Sequence, residues 1–124
     1  MDGMTVTAFT KSVSEVAAES GVAASAVRFY EQHGVITAIR TAGDQRRFDD
    51  SAACRIRVAK VAQRVGLTVR EIAAVFADLP DEPRPADWGR VATTLIAEAE
   101  ARTAALKSHL NDMRSPGRLC EIEV

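Results

Sequence analysis

The side chains best suited to chemistry in this sequence of 124 residues are hydrogen-bond donors and cations gathered between positions 25 and 64. Arginine, lysine and tyrosine donate to phosphate oxygens, and small residues at the start of a helix allow close approach to base edges. The group therefore indicates binding to the backbone and grooves of a nucleic acid. Its predicted members are Ser25, Ala26, Arg28, Tyr30, Arg40, Gln45, Arg46, Arg47, Lys60, Gln63 and Arg64.

Patterns typical of catalysis are missing from the same sequence. It contains no H-E-x-x-H pair for zinc, no glycine-rich phosphate loop and no nucleophile elbow. We therefore predict that the protein is not an enzyme and that it has no metal site.

The charge of the chain is divided between its two halves. The formal net charge is −1, and the content of hydrophobic (47%) and charged (27%) residues is that of a globular domain. Residues 11–70 carry ten Lys or Arg against six Asp or Glu, whereas residues 71–124 carry six against ten. A basic half joined to an acidic half suggests that only the first half meets a polyanion.

Two short helices are predicted to position the first part of the basic group. Ser12 begins S-V-S-E, a capping box in which Glu15 reaches back, and the helix that follows stops at Gly21. A second helix is expected from about Ala24 to Gln32, ended by Gly34. Two short helices joined by a glycine-containing turn form the helix-turn-helix pattern.

A two-stranded wing is predicted to follow over residues 36–48. Its β-branched residues come before the turn signal Thr-Ala-Gly-Asp at 41–44, and residues 45–48 return as a second strand. Gly43 is expected to give the turn its flexibility. Arg46 and Arg47 then lie at the base of this turn, where they can meet a phosphate or the minor groove.

Two further helices complete this domain. One is expected at about 51–65, capped by Asp49 or Asp50, and the other runs from the capping box at Thr68 to about Ala77. Their predicted inward-facing residues are Ala53, Ile56, Ala59, Val61, Val65, Ile72, Val75 and Phe76.

The C-terminal third is predicted to be a long helix behind a proline-rich linker. The domain boundaries expected are a lead-in (1–11), a DNA-binding domain (12–78), a linker (79–85), a dimerisation helix (86–114) and a tail (115–124). One apolar stripe on so long a helix has too little of its own domain to pack against, which favours a second copy as partner. The stripe consists of Trp88, Val91, Leu95, Ala99, Leu106, Leu110 and Met113.

Four segments, in order and over about residues 12–80, resemble the MerR family of winged-helix regulators, and the SoxR branch most closely. They are SGVAASAVRFYE, GVITAIR, GDQRRF and KVAQRVG. The resemblance implies a mainly α fold: a winged helix-turn-helix DNA-binding domain followed by a long antiparallel coiled-coil dimerisation helix.

The resemblance also implies a function. Such a homodimer binds a near-palindromic promoter with two wings and distorts its overlong spacer so that RNA polymerase can use it. By position, the recognition helix carries Ser25, Ala26, Arg28 and Tyr30, the wing Arg46 and Arg47, and the later helix Gln63 and Arg64. Arg28 stands where the SoxR branch has His but matches the wider family, which leaves the operator sequence open.

The C-terminus departs from the SoxR branch. That branch holds an iron–sulfur cluster with four clustered cysteines, whereas SPGRLCEIEV offers Cys120 alone, and a two-iron cluster needs four ligands. An iron–sulfur cluster is therefore not supported, and no cofactor is predicted. Two alternatives stay open for Cys120: a thiol switch, such as an intersubunit disulfide, or a metal-responsive site with His109 or across the dimer.

Cysteine content and hydropathy indicate a cytoplasmic, reducing setting without membrane contact. Cys54 and Cys120 are too few for a disulfide framework, and Cys54 is expected to be a small packing residue. The longest uncharged apolar stretch falls far short of the roughly 18 residues that a membrane span needs. The N-terminus lacks the basic start and cleavage site of a signal peptide.

Two other classes of function remain open. The acidic C-terminal half favours a coiled-coil interaction module whose winged domain binds protein rather than DNA. A DNA-architectural factor of the excisionase kind is the third hypothesis, and the long helix argues against it.

Overall fold

The computed structural model describes residues 8–114 of the chain, and within them it contains five helices and one two-stranded sheet. The predicted mainly α, winged helix-turn-helix fold with a long C-terminal helix is confirmed. The elements in chain order are α1 (Val13–Ser20), α2 (Ala24–Gln32), β1 (Ala38–Arg40), β2 (Arg46–Phe48), α3 (Ala52–Val65), α4 (Val69–Phe76) and α5 (Pro85–Asp112).

The first helix is held at both ends by the predicted signals. The Glu15 amide donates to Ser12 Oγ at 3.1 Å, and the Ser12 amide donates to a Glu15 carboxylate oxygen at 2.9 Å. The bond from the Ser12 amide to the carboxylate, followed by the influence of the Ser12 hydroxyl, holds the pKa of Glu15 below its ordinary value, because both favour the charged form. Gly21 ends the helix in the left-handed conformation (φ 75°), so the turn into α2 begins where glycine permits it.

The end of α2 determines where the wing begins. The Val35 amide donates to the Tyr30 carbonyl at 2.9 Å and the Gly34 amide to the Glu31 carbonyl at 3.1 Å, with Gly34 at φ +81°. This turn directs Val35 and Ile36 into the core, where they are 1% and 2% exposed. The expected start of the wing at residue 36 is therefore wrong, because the first strand begins at Ala38.

The wing is an antiparallel pair in which Ala38, Ile39 and Arg40 face Phe48, Arg47 and Arg46. Its turn bends at Asp44 (φ 59°), and not at Gly43, which has no positive φ. Lys11 pairs with Phe48 through two backbone hydrogen bonds of 2.8 and 2.9 Å. The end of the expected lead-in thus belongs to the wing and fixes it to α1.

The third helix packs against α1, and the fourth packs against the third. The expected capping of α3 by Asp49 or Asp50 is wrong, because the N-cap is Ser51 and its side chain makes no cap bond. Asp49 accepts from the Ser51 amide at 2.8 Å in the turn before the helix, and Gly66 ends α3 at φ 107°. Inward-facing positions include the fully buried Ile56, Ala59 and Ile72. Two expectations are wrong: Val61 is 51% exposed, and Cys54 is exposed rather than packed. Ala62, one position further along α3, is buried in place of Val61.

The core joins the four helices of the DNA-binding domain to the wing and to the start of α5. Its largest fully buried side chains come from α1, α2, the turn after α2, β2, α3 and α4: Val16, Val27, Val35, Phe48, Ile56 and Ile72. Because a single core is shared by all these elements, α2 and the second strand of the wing pack against the same interior.

The proline-rich segment is tied down at one point before α5 begins. Arg55 donates to the Pro80 carbonyl at 2.9 Å and to Ser51 Oγ at 2.9 Å. The helix starts at Pro85, one residue before the predicted boundary, because a proline lacks only an amide hydrogen that the first turn does not use. The Arg84 amide donates to Asp87 Oδ2 at 2.8 Å and completes the start.

The first half of α5 packs on its own domain. Val91 and Leu95 are buried, and the Trp88 ring meets Phe76 of α4 edge to face, with 5.9 Å between ring centroids. Contacts with the domain continue just past the midpoint of α5, where Arg102 donates to the Gly66 carbonyl at 2.6 Å and contacts Glu71 at 3.3 Å. The inference that the whole stripe lacks a partner within its own chain is therefore wrong for this half.

The second half of α5 extends beyond the domain. Leu106, Leu110 and Met113 are 58%, 53% and 54% exposed. We call these three residues the distal stripe. None of the helices in residues 8–114 combines the length and the apolar character that crossing a bilayer requires.

Candidate nucleic-acid interface

Helix α2 presents a polar face to solvent and an apolar face to the core. Ser25 and Arg28 are exposed on the outer face, and Val27 and Tyr30 are buried on the inner one. The 3.6-residue period separates these two sets, as a recognition helix requires. Ala26 is half-buried and packs at the edge of the core, so it lies beside the outer face rather than at its centre.

Tyr30 joins α2 to α3. Its side chain is 5% exposed, and its hydroxyl donates to Gln63 Oε1 at 2.6 Å. Burial raises the pKa of this hydroxyl, because the phenolate would lose hydration. Tyr30 and Gln63, both predicted to contact DNA, thus share a hydrogen bond. Their contact with DNA stays a prediction.

The two arginines of β2 point to opposite faces of the wing, since side chains alternate along a strand. Arg46 lies on the face of the buried Phe48, and its Nε is 2.7 Å from Glu31 Oε1. Arg47 lies opposite Ile39, which is 46% exposed, and donates to Gln45 Oε1 at 2.7 Å. Of these two arginines, Arg47 is therefore the one on the outer face of the wing.

Arg40 is held at the tip of the wing. Its guanidinium donates to the Asp44 carbonyl at 3.1 Å and pairs with the Asp44 carboxylate at 3.2 Å. Both groups are mostly exposed, so water screens this ion pair and leaves the Arg40 charge available to a phosphate.

Helix α3 adds cations next to α2. Gln63 and Arg64 are exposed and Lys60 is half-buried on the same stretch of helix. Within residues 8–114, no carboxylate lies within ion-pair distance of Arg28, Lys60 or Arg64. The structure thus brings together α2, the wing and the C-terminal half of α3, and it leaves cations of α2 and α3 without acidic partners there.

Two residues of this region were missed from sequence. Glu31 forms the ion pair with Arg46, and Arg57 donates to the Glu19 carbonyl at the end of α1. These contacts join residues 15 and 38 positions apart, and no local pattern encodes such pairs. Phe29, which helical periodicity places on the outer face of α2, is 40% exposed there.

The cysteines provide no assembled site in the part of the chain that the structure describes. Cys54 lines a cavity of about 360 Å³ together with Asp49, Asp50, Asp81 and Trp88. No group of three metal-ligating side chains forms within residues 8–114. Cys120 and the tail predicted for 115–124 lie outside the described residues.

Comparison with known proteins agrees with this geometry. Residues 11–79 match the family described as "MerR HTH family regulatory protein", and residues 54–115 match "MerR, DNA binding". The chain is 40% identical over 99 residues to the HTH-type transcriptional activator SoxR homolog of Chromobacterium violaceum, covering 78% of this chain and 67% of that protein. It is 31% identical over 110 residues to the HTH-type transcriptional regulator HmrR of Sinorhizobium medicae, covering 87% and 75%.

Two solved structures share the fold at 20% identity and a TM-score of 0.54. One is a putative MerR family regulator from Listeria monocytogenes, covering 85% of this chain and 81% of that one. The other is HiNmlR, a MerR family regulator lacking the sensor domain, bound to promoter DNA, with 85% of both chains covered. The chain therefore belongs to the MerR family of helix-turn-helix transcription regulators, which bind DNA and are not enzymes.

Proposed function

We propose that the protein acts as a homodimer that binds a near-palindromic promoter and distorts its spacer. The observation that carries the proposal is that α5 has two exposed apolar surfaces at opposite ends. One is the distal stripe. The other is a shallow groove of about 320 Å³ between α3 and α5, which we call the proximal groove and which is lined by Arg57, Val58, Val61, Trp88, Val91, Ala92 and Leu95.

The two surfaces fit an antiparallel pair of α5 helices. The centre of the groove at Ala92 and the centre of the stripe at Leu110 are separated along one helix by about 27 Å, at 1.5 Å per residue. In an antiparallel pair related by a two-fold axis, each stripe meets the groove of the other copy, and both contacts form at once. A parallel pair would place stripe on stripe and leave both grooves open to water.

A dimer of this kind carries two copies of α2 and two wings. Two-fold symmetry in the protein favours two symmetric half-sites in the DNA. Because each copy has both a groove-facing helix and a backbone-facing wing, the pair can hold a duplex at separated points and bend or untwist it between them. In this proposal RNA polymerase uses the promoter in its distorted form.

The location of the protein in the cell follows from its proposed partners. Promoter DNA and RNA polymerase are cytoplasmic partners in bacteria, so we place the protein in the cytoplasm. We propose that it works without an iron–sulfur cluster, because the four clustered cysteines that hold the cluster in the SoxR branch have a single counterpart here, Cys120. Two further candidates for Cys120 are an intersubunit thiol switch and a metal-responsive site, and a Cys120→Ser variant assayed with oxidants and metals tests both.

Binding to promoter DNA is tested with Arg28→Ala and the matched control Arg90→Ala. Arg28 is exposed on α2, whereas Arg90 is exposed on α5 and pairs with Asp87. In a gel shift against the promoter of its own gene, the Arg28 variant is expected to bind about tenfold more weakly than the parent. The reason is that it loses one charged contact to a base edge or a phosphate. The control should bind like the parent. Equal affinity of all three proteins would favour the alternative of an interaction module that does not bind DNA.

A further inference from the structure

The ion pair between Glu31 and Arg46 is a direct link from the recognition helix to the wing. Glu31 lies in the last turn of α2, and Arg46 is the first residue of β2. The Arg46 Nε is buried and lies 2.7 Å from the carboxylate without the alignment of a hydrogen bond, so the contact is ionic. No other ion pair within residues 8–114 joins α2 to the wing.

The register of the wing makes this carboxylate necessary. Arg46 stands directly opposite Arg40, and like charges facing each other across a strand pair destabilise it. Arg40 is paired with the exposed carboxylate of Asp44, and Arg46 with the carboxylate of Glu31. Without Glu31 the turn end of the wing would carry an unpaired arginine turned toward the body of the domain.

The position of Glu31 also places a negative charge near a surface that meets phosphate. It is three residues from Arg28, so the two side chains are neighbours on α2. A carboxylate there repels DNA unless a cationic side chain of the protein neutralises its charge. The side chain of Glu31 is 25% exposed and that of Arg46 is 35% exposed, so the pair is partly shielded from water.

We propose that Glu31 is a positioning residue for DNA binding. Its carboxylate holds Arg46 and so fixes the wing against α2, which leaves Arg47 as the arginine of β2 that meets a phosphate. This inference rests on the proposed DNA binding and goes beyond it, because it assigns different roles to two adjacent arginines. A wing that is fixed before DNA binds lowers the entropic cost of binding, since the helix and the wing already have the spacing that the duplex requires.

The dependence of affinity on salt separates the two roles. Each phosphate contact contributes about 0.9 to the slope of log K against log salt, so Arg47→Ala should flatten the slope by about 0.9 per protomer. Arg46→Ala and Glu31→Gln should weaken binding roughly three- to tenfold at an unchanged slope, as expected for lost positioning. The exchanged variant Glu31→Arg with Arg46→Glu should regain most of the affinity. Glu98→Gln, which removes the same charge from the Arg102 pair on α5, away from α2 and the wing, should bind like the parent.

Several results would overturn the assignment. A flatter slope in Arg46→Ala would mean that Arg46 itself neutralises a phosphate. Tighter or unchanged binding by Glu31→Gln would mean that Glu31 competes with DNA for Arg46 or has no part in binding. Thermal unfolding followed by circular dichroism establishes that each variant is folded, and the exchanged variant decides the question if Glu31→Gln is not. If the parent protein itself shows no salt-dependent binding to its promoter, the proposed function fails instead.

Discussion

The two halves of α5 carry the same kind of apolar stripe and have opposite surroundings. In the first half Val91 and Leu95 are 5% and 9% exposed, and in the second Leu106 and Leu110 are 58% and 53% exposed. The residue types and their spacing are alike in both halves. The difference comes from α3 and α4, whose contacts with α5 extend only as far as Arg102. Amphipathic periodicity thus indicates that a face is to be covered, but it does not tell which surface covers it.

The largest expected effect is a loss of stability caused by a substitution in the first half of α5. Leu95→Ala should lower the free energy of unfolding by about 2–4 kcal/mol, because it removes buried methyl groups and leaves a cavity beside Val91 and the neighbouring helices. The matched variant Leu106→Ala, on an exposed position of the same helix, should change the stability of the protomer by less than about 0.5 kcal/mol. Urea unfolding monitored by circular dichroism measures both, at a protein concentration below the dissociation constant of self-association, so that the unfolding species is the protomer. Equal losses would mean that the two halves of α5 are buried alike within one chain.

A second prediction tests whether the distal stripe mediates self-association. Leu106→Ser combined with Leu110→Ser should raise the dissociation constant of self-association at least about tenfold, because two apolar contacts are lost in each copy. Sedimentation equilibrium measures it.

The control for that experiment is Ala104→Ser combined with Asn111→Ser, on the opposite side of the helix. These two positions are exposed and lie outside the distal stripe. The control should associate like the parent protein, and a matching loss in both variants would remove the stripe from the interface.

The smallest effect concerns the contact that joins Arg102 of α5 to α4. Glu71 caps α4 through Thr68 and also contacts Arg102. The bond from the Thr68 amide to the Glu71 carboxylate, followed by the influence of the Thr68 hydroxyl, holds the pKa of this carboxyl below the ordinary 4.5. A carboxyl with a lowered pKa in the folded state contributes stability above its ordinary pKa, and this contribution is lost as pH falls through the lowered value. Glu71→Gln should therefore lower Tm by roughly 2–4 °C at pH 7 and by less at pH 3. A difference that grows toward acid pH would contradict this assignment.

Local signals in the sequence predicted most of the fold. Both serine and threonine capping boxes, the bounds of α2 and the glycine after each of α1 and α3 are confirmed. Each of these depends on a few neighbouring residues, so the sequence contains the whole interaction. The start of the wing was misplaced, because the turn after Gly34 sends the β-branched Val35 and Ile36 into the core instead of a strand.

The candidate site was predictable as a set of residues but not as an arrangement. Helical periodicity correctly put Ser25 and Arg28 on one exposed face of α2. The bond from Tyr30 to Gln63 and the ion pair from Glu31 to Arg46 join residues far apart in the chain. Such pairs depend on how the helices pack, and the burial of Trp88, Val91 and Leu95 against α3 and α4 has the same origin.

The number of chains bound to one promoter duplex tests the central claim most directly. Sedimentation of the parent protein mixed with its own promoter DNA should give two chains per duplex, and the Leu106→Ser, Leu110→Ser variant should need a much higher concentration to reach it. A complex of one chain per duplex, with the same affinity in the parent and the variant, would contradict the account.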